Sequence, residues 1–460
     1  MKQPTVLPRS TYCRLFPRFD QPNATNLDKL GLSMMPPTEG TQIPIECRHG
    51  QMMGAAYTYF GQFIDHDLTE DRTTLRNAGK REPDYTLNCR RHFLDLDTLY
   101  GDGPEGRESK SLYAADGYSF ALGKVLTDGQ EFDVPLVHRR PQLADPRNSE
   151  NVLVRQMHVM FLKLHNLIAS QLPADLSPKE RFKKARQQTQ WQYQWLVRND
   201  FVAQVCNKDV YLDVVTNRNY RLYWPGGFAI PVEFSQAAFR FGHSMVRPEY
   251  KLKGGMFSLQ KLFSESKRGP IDPEMAIPWA DFFTGVERAM RIDTSIARPL
   301  FGLPRVNIRL FTNFLLLAGP HQLPVRTLRR GAATGLPSGQ CVRAQLCPEA
   351  SEPKPSPTCP PSYCPWKHAQ ELGFEEHTPL WYYILLEAET LENGLTLGVL
   401  GSRLVAEVIE GALRADPDSF VTVHPGWQPV KWKTSDGTEM EIRNLFDLAV
   451  FVGLARRLVS

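Results

Sequence analysis

Residues 149–171, SENVLVRQMHVMFLKLHNLIASQ, decide the fold class. Val152, Met157, Met160, Phe161, Leu164, Leu167 and Ile168 recur largely at three- and four-residue intervals, the period of one helix face, so the pattern predicts a helix from Ser149 to Gln171. The same period extends outward in both directions. Phe182 to Val205 reads as a second long helix with a polar face and Phe234 to Met245 as a third, and a first helix is expected to start near Ala55. Later candidates are Ile308 to Leu317, Pro379 to Thr390, and Leu404 to Leu413 after a cap region at Gly401-Ser402. Strand-like alternation is confined to Val421-Thr422-Val423 and Val430 to Lys433. The expectation is an all-α fold, mostly helical, with long irregular loops and little β structure.

Composition narrows the function classes. A chain of 460 residues that is 42% hydrophobic and 23% charged buries a core, which excludes disorder throughout. Lys and Arg number 54 against 50 acidic residues, with no long basic run, so a nucleic-acid partner is not expected. Apolar stretches such as Phe314 to Ala318 are too short for a membrane span. The start, Met1-Lys2-Gln3-Pro4, has no apolar signal-peptide core, and the expected location is cytoplasmic. Residues 1–50 read as an arm packed on a single domain at 51–455, with a Pro/Cys-rich insertion at 341–366. Cys341, Cys347, Cys359 and Cys364 have intervals of six, twelve and five, a poor zinc pattern that leaves one disulfide or free thiols open.

Three segments carry groups suited to chemistry. In Gly61-Gln62-Phe63-Ile64-Asp65-His66-Asp67, a helix puts Gln62 and His66 on one face, with Asp65 beside them and Asp67 turned by roughly 100° from His66. The flanks Tyr57, Phe60, Phe63 and Ile64 look buried, and buried carboxylates are costly unless paired or bound; a polar turn of an amphipathic helix is the plainer alternative. Asp145-Pro146-Arg147-Asn148-Ser149-Glu150 has the features of a helix cap, yet Arg147 and Glu150 also share a face. Arg240 and His243 stand three apart in an otherwise aromatic segment, where a lone His is more often a satisfied core residue than a ligand. Two His-bearing helices together suggest the two faces of a flat cofactor, one His on iron and the other free for acid–base work. The aromatic stripe at Trp381, Tyr382 and Tyr383 reads as core, and His158 and His165 read as packing.

These motifs stand in the order found in one family. The segments Tyr57 to Asp67, Asp95 to Gly101, Asp145 to Glu150, His158 to Asn166, Phe239 to His243 and Gly335 to Gln340 make the chain resemble the animal-type haem peroxidases of the peroxidase–cyclooxygenase superfamily, especially their bacterial members, from about residue 14 to 452. The resemblance implies a haem, as haem b or an ester-linked derivative. It implies His66 as the distal acid–base group, Gln62 as the organiser of water and small anions, Arg147 as the distal arginine and His243 as the iron ligand. Asp65 and Glu150 match carboxylates that esterify haem methyls, and Arg240 matches the arginine near a propionate. The implied function is reduction of hydrogen peroxide and oxidation of a halide, pseudohalide or organic donor through a ferryl haem. The alternative is a haem-dependent oxygenating enzyme acting on one biosynthetic metabolite, and a non-catalytic descendant is a third reading.

Four positions depart from the family pattern. Asp67, Phe93 through its carbonyl, Asp95 and Asp97 fit the family's Ca2+ site, but Arg91 replaces a Thr ligand, and hard-oxygen calcium chemistry is opposed by an adjacent cation. Thr327 stands where an Asn accepts the proximal ring proton, and its shorter side chain predicts a weaker imidazole donor. Asn151 stands where a methionine forms a third haem link, so no sulfonium bond is expected. Arg240 takes the place of a radical tyrosine, which disfavours lipid dioxygenation from that position.

Overall fold

Asn151 launches the long helix: its side chain accepts from the N–H groups of Leu153 and Val154, and Val152–Gln171 follows. Helical structure does not begin continuously at Ser149. Asp145 caps a separate 3-10 turn, Pro146–Ser149, by accepting from the Arg147 N–H. The computed structural model describes residues 10–36, 53–123, 132–224, 226–267, 269–283, 286–302, 321–354 and 364–456. The expected helix Ile308 to Leu317, the apolar stretch at 314–318, Cys359 and the first nine residues lie outside them.

The helix Ala56–Leu68 packs against Val152–Gln171 through aromatic contacts. Phe60 and Phe63 stack on Phe161 with ring centroids 5.8 and 5.0 Å apart, and Tyr193 meets all three edge-on. Tyr193 comes from Pro178–Leu196, which opens with a Ser177/Glu180 capping box and runs on through a π-helical turn, Val197–Phe201, into Val202–Val205. The expected helix at 234–245 is instead Val232–Gln236 followed by a 3-10 helix, Ala238–His243, broken at Ala237 with φ −134° and ψ −73°. Leu323–Ala333, Gly339–Leu346, Leu380–Leu391 and Val399–Ala415 complete the main helical frame. Gly339 permits close packing there, since a Cβ would lie 2.0 Å from Cγ of Tyr383.

The fold is mostly helical, and its sheets among the described residues are small and open: one of three strands and three of two. Ser10–Cys13 pairs antiparallel with Leu87–Asn88 and parallel with Ile230–Pro231, so the described part of the N-terminal stretch is built into the core and buries Tyr12. The strand expected at Val421 to Val423 is part of a short helix, Phe420–Val423. Ser419 caps it, and burying Phe420 against Trp191 and Trp427 overrides the β-branched local preference. Trp432–Lys433 does pair as a strand with Glu439–Met440. The stretch 341–366 begins inside Gly339–Leu346 and ends at the start of Pro365–Glu371; Cys341, Cys347 and Cys364 are free thiols.

Candidate active site

The face of Ala56–Leu68 that carries Gln62 and His66 meets the turn after Asp145. Gln62 Nε2 donates to Glu150 Oε2 at 3.2 Å, Asn151 donates to Gln62 Oε1 at 3.1 Å, and His66 Nε2 lies 4.0 Å from the same Glu150 oxygen. On its other side, His66 Nδ1 donates to Asn148 Oδ1 at 2.8 Å, and Asn148 Nδ2 donates to His158 Nδ1 at 3.1 Å. Burial pushes His158 down to about 3, so its ring is neutral and its lone pair accepts. This chain of bonds places the His66 proton on Nδ1 and leaves Nε2 as the basic nitrogen beside Glu150.

Arg147 does not join that group in the way its spacing from Glu150 suggests. Its Nε donates to Asp145, its Nη1 to the Thr69 carbonyl at 2.6 Å, and its Nη2 to the His66 carbonyl at 2.7 Å and to Asp145 at 2.6 Å. The guanidinium thereby clamps the end of the helix bearing His66. Burial alone would raise the Asp145 carboxyl, but Arg147 and Arg90 outweigh it and hold the group well below the usual carboxylate range. Asp65 accepts from the Thr69 hydroxyl at 3.0 Å.

The second histidine lies on the 3-10 helix, where residues three apart eclipse one another, so Arg240 and His243 share one edge. The His243 ring meets Trp381 edge-on at 5.9 Å, and Trp381 Nε1 donates to the Arg240 carbonyl at 3.1 Å. His243 Nδ1 is buried without a hydrogen-bond partner. The Thr327 hydroxyl, expected to receive it, donates instead to the Leu323 carbonyl of its own helix at 3.0 Å. Burial first, then Arg240 and Arg326, push His243 down to about 3. The result is the neutral imidazole that metal ligation requires.

A third cluster lies behind the first helix. Asp67, Asp95 and Asp97 are buried, with one oxygen from each within 4.8 Å of the others. Leu96, between two of them, adopts left-handed backbone at φ 57° and donates its N–H to Asp67 Oδ2 at 3.1 Å. Burial, then Asp95, raises Asp97 to about 7, and burial with the neighbouring carboxylates also raises Asp67. Arg91 sits 2.5 Å from Asp95, and Arg90 3.6 Å from Asp97 and 2.9 Å from Asp145. Phe93 belongs to the same loop, its ring edge-on to His92 at 4.4 Å. The oxygen set suits a hard cation, with one Asp95 oxygen taken by Arg91.

Sequence reasoning missed Asn148, Asp145, Arg90 and the bond made by Trp381. The first two looked like capping residues, which Asp145 is; only the fold shows that the same turn also orients His66. His243 offers a neutral ring edge-on to Trp381 with its buried Nδ1 unpartnered, and His66 offers a basic Nε2 beside Glu150. These donors fit a haem.

The animal haem peroxidase family matches residues 72–292. A peroxidase-like protein from Margaritifera margaritifera is 26% identical over 259 residues, 41% of this chain and 31% of its own length. The chain spans a third or less of the curated relatives first matched. In fold it resembles peroxidase A of Dictyostelium discoideum, with a TM-score of 0.57 and 16% identity over 90% of this chain and 89% of that one. It resembles the fatty acid alpha-dioxygenase of Oryza sativa with a TM-score of 0.62 and 12% identity over 89% and 76%. These relatives are animal, amoeboid and plant, which overturns the expected bacterial affiliation. Among the described residues no helix is long and apolar enough to cross a membrane. The animal haem peroxidase model thus matches just under half of the chain, within residues 72–292, and the likeness to peroxidase A over nine-tenths of the chain is one of fold.

Proposed function

We propose that this chain is a haem-dependent enzyme that oxygenates a dedicated organic substrate, with His66 as the proton-transferring group and His243 as the iron ligand. The observation that carries this reading is the pairing of Arg147 with Asp145 and with the carbonyls of His66 and Thr69. A guanidinium already neutralised by a buried carboxylate adds little stabilisation to charge developing on a departing oxygen. Peroxide cleavage serving a freely diffusing halide is thereby disfavoured relative to oxidation of a bound organic molecule.

Haem, when bound, supplies the one-electron and oxygen chemistry. His66 Nε2 would take and return a proton, Asn148 holds the ring proton on Nδ1 so that Nε2 is the nitrogen turned to the site, and Gln62 and Glu150 would hold polar groups of the substrate or a water beside it. The fold likeness to a fatty acid alpha-dioxygenase supports an oxygenating reading, although Arg240 stands in the place of a radical tyrosine, so oxygenation does not start from a phenol at that position. A second reading, a peroxidase using hydrogen peroxide and a small anionic or organic donor, is favoured by the free Nε2 of His66 and the peroxidase names of the sequence relatives. Asp67, Asp95 and Asp97 are the groups that would hold Ca2+.

The test is product analysis of the haem-loaded protein with isotopically labelled dioxygen and a panel of organic acids and phenols, in parallel with peroxide and halides. The expected result is label in one organic product and halide oxidation no faster than free haem gives. Rapid peroxide-dependent halide oxidation without label in any organic product would establish the second reading instead.

A further inference from the structure

Among the described residues, the aromatic ring in contact with His243 is that of Trp381, edge-on with centroids 5.9 Å apart. The indole is buried, and its Nε1 donates to the Arg240 carbonyl at 3.1 Å. That bond ties the ring to the 3-10 helix Ala238–His243, so Trp381 and His243 are held in one register. A cavity of about 20 Å³ lies against Trp381, walled also by Gln21, Thr327, Leu328 and Leu336. It has room for a water and not for an organic molecule. Gln21 Oε1 is buried there without a donor. Proton transfer at His66 makes no use of this indole.

An indole can lose an electron and keep its N–H proton, as a radical cation. A phenol near neutral pH must shed its proton in the same event. Tyr59 shares the helix face of Gln62 and His66, but its hydroxyl is buried without an acceptor for that proton. At Trp381 the Arg240 carbonyl holds the proton on Nε1, and the negative end of its dipole steadies positive charge on the ring. The Arg240 guanidinium, bonded through Nε to the Ser235 carbonyl at 2.9 Å, opposes that charge and makes the state short-lived. Resting on the haem reading above, we infer that Trp381 is a one-electron relay, which gives an electron through His243 to a peroxide-oxidised haem when no organic substrate is bound. Cleaving the O–O bond of hydrogen peroxide takes two electrons, one from the haem and one from the indole. Both peroxide protons leave with one oxygen as water, and the second oxygen remains at the haem. A one-electron donor outside the site, such as ascorbate, returns the electron to the indole, so the relay admits donors that never enter the pocket.

The test mixes the haem-loaded protein with an equimolar amount of hydrogen peroxide and no donor, freezes it within seconds and records the electron paramagnetic resonance spectrum. The expected result is an organic radical whose line narrows when the protein carries ring-deuterated tryptophan, and which vanishes when ascorbate is present. The signal should be lost in Trp381→Phe, which keeps an aromatic edge against His243. After repeated peroxide without donor, peptide mass spectrometry should find added oxygen at Trp381 in preference to Trp191. Deuteration reads the unmodified protein, so it decides the matter even where the variant fails to take up haem. A radical of unchanged intensity in haem-loaded Trp381→Phe, a spectrum indifferent to tryptophan deuteration, or the absence of any organic radical would overturn the relay and leave the haem reading standing. Failure of the unmodified protein to bind haem would overturn that reading and the relay with it.

Discussion

His66 Nδ1 donates to Asn148 Oδ1 across 2.8 Å, and this bond decides which nitrogen of the histidine is basic. An Asn at this position orients the ring without adding charge. Asn148→Asp would keep the acceptor but place a carboxylate against the ring, stabilising its protonated form. The acid limb of the pH–rate profile should then move to higher pH by roughly one unit. An unmoved profile in the folded, haem-loaded variant would show that His66 is not the titrating base.

The two histidines differ in what they hold, so their alanine variants should separate. His243 makes no hydrogen bond through its buried Nδ1 and presents a neutral ring, whereas His66 is tied to Asn148. His243→Ala should lose stable haem or leave a misligated iron. His66→Ala should retain haem and slow the proton-transfer step by about two to four powers of ten. Haem titration followed by single-turnover kinetics distinguishes these outcomes; equal haem retention and equal rates would remove both assignments.

Arg147 is predicted to act on stability before chemistry. Arg147→Met leaves Asp145 with Arg90 alone and frees the carbonyls of His66 and Thr69, and should lower unfolding free energy by about 3 kcal/mol in urea denaturation, the scale of breaking a buried ion pair. The pH dependence has a definite sign. Because the folded Asp145 carboxyl lies below its ordinary value, its contribution is complete above about pH 4 and is lost as pH falls through the folded value. Asp145→Asn should therefore flatten the acid limb of the stability curve.

The sequence carries the site unevenly, for physical reasons. The helix Val152–Gln171 is legible because its apolar residues keep the helical period. The break at Ala237 is not, since nothing local forbids helix there, yet the Arg240 and His243 pairing survives because an i,i+3 pair shares an edge in either helix type. The direction of Arg147 is set by carbonyls some eighty residues away and by Asp145, neither visible in its spacing from Glu150. The same holds for Thr327, whose hydroxyl had a competing acceptor one turn back in its own helix.

Arg91 and Asp95 predict an altered cation response. Arg91 neutralises one carboxylate of the Asp67, Asp95 and Asp97 group, so added Ca2+ should raise the melting temperature of the unmodified protein only slightly. Arg91→Thr removes that counter-charge and supplies an oxygen donor. It should be less stable in chelator and gain about 2.7 kcal/mol at a calcium concentration a hundred times its dissociation constant. Equal calcium responses in both proteins would show that Arg91 does not compete for the site.

Covalent haem attachment is the last consequence, and the structure ranks its two candidates. Glu150 has a side chain that is 45% exposed and accepts from Gln62 beside the basic nitrogen of His66, so its carboxylate faces the two groups proposed to do the chemistry. Asp65 is turned back onto Thr69, whose hydroxyl donates to it. An ester link needs a carboxylate oxygen to bond to a haem methyl carbon that loses two electrons and a proton, with peroxide as the oxidant. A free, pocket-facing carboxylate reaches that carbon more readily than one held by its own helix. Denaturing mass spectrometry should therefore find partial linkage before peroxide and more after it, with Glu150→Gln removing most of the adduct and Asp65→Asn a smaller share. Because the Thr327 hydroxyl is spent on Leu323 and leaves His243 Nδ1 without a partner, the reaction should be slow, and Thr327→Asn should hasten it. Haem that is fully extractable after many turnovers, with no adduct at either residue, would leave Glu150 as a polar group for substrate and Asp65 as a cap for Thr69.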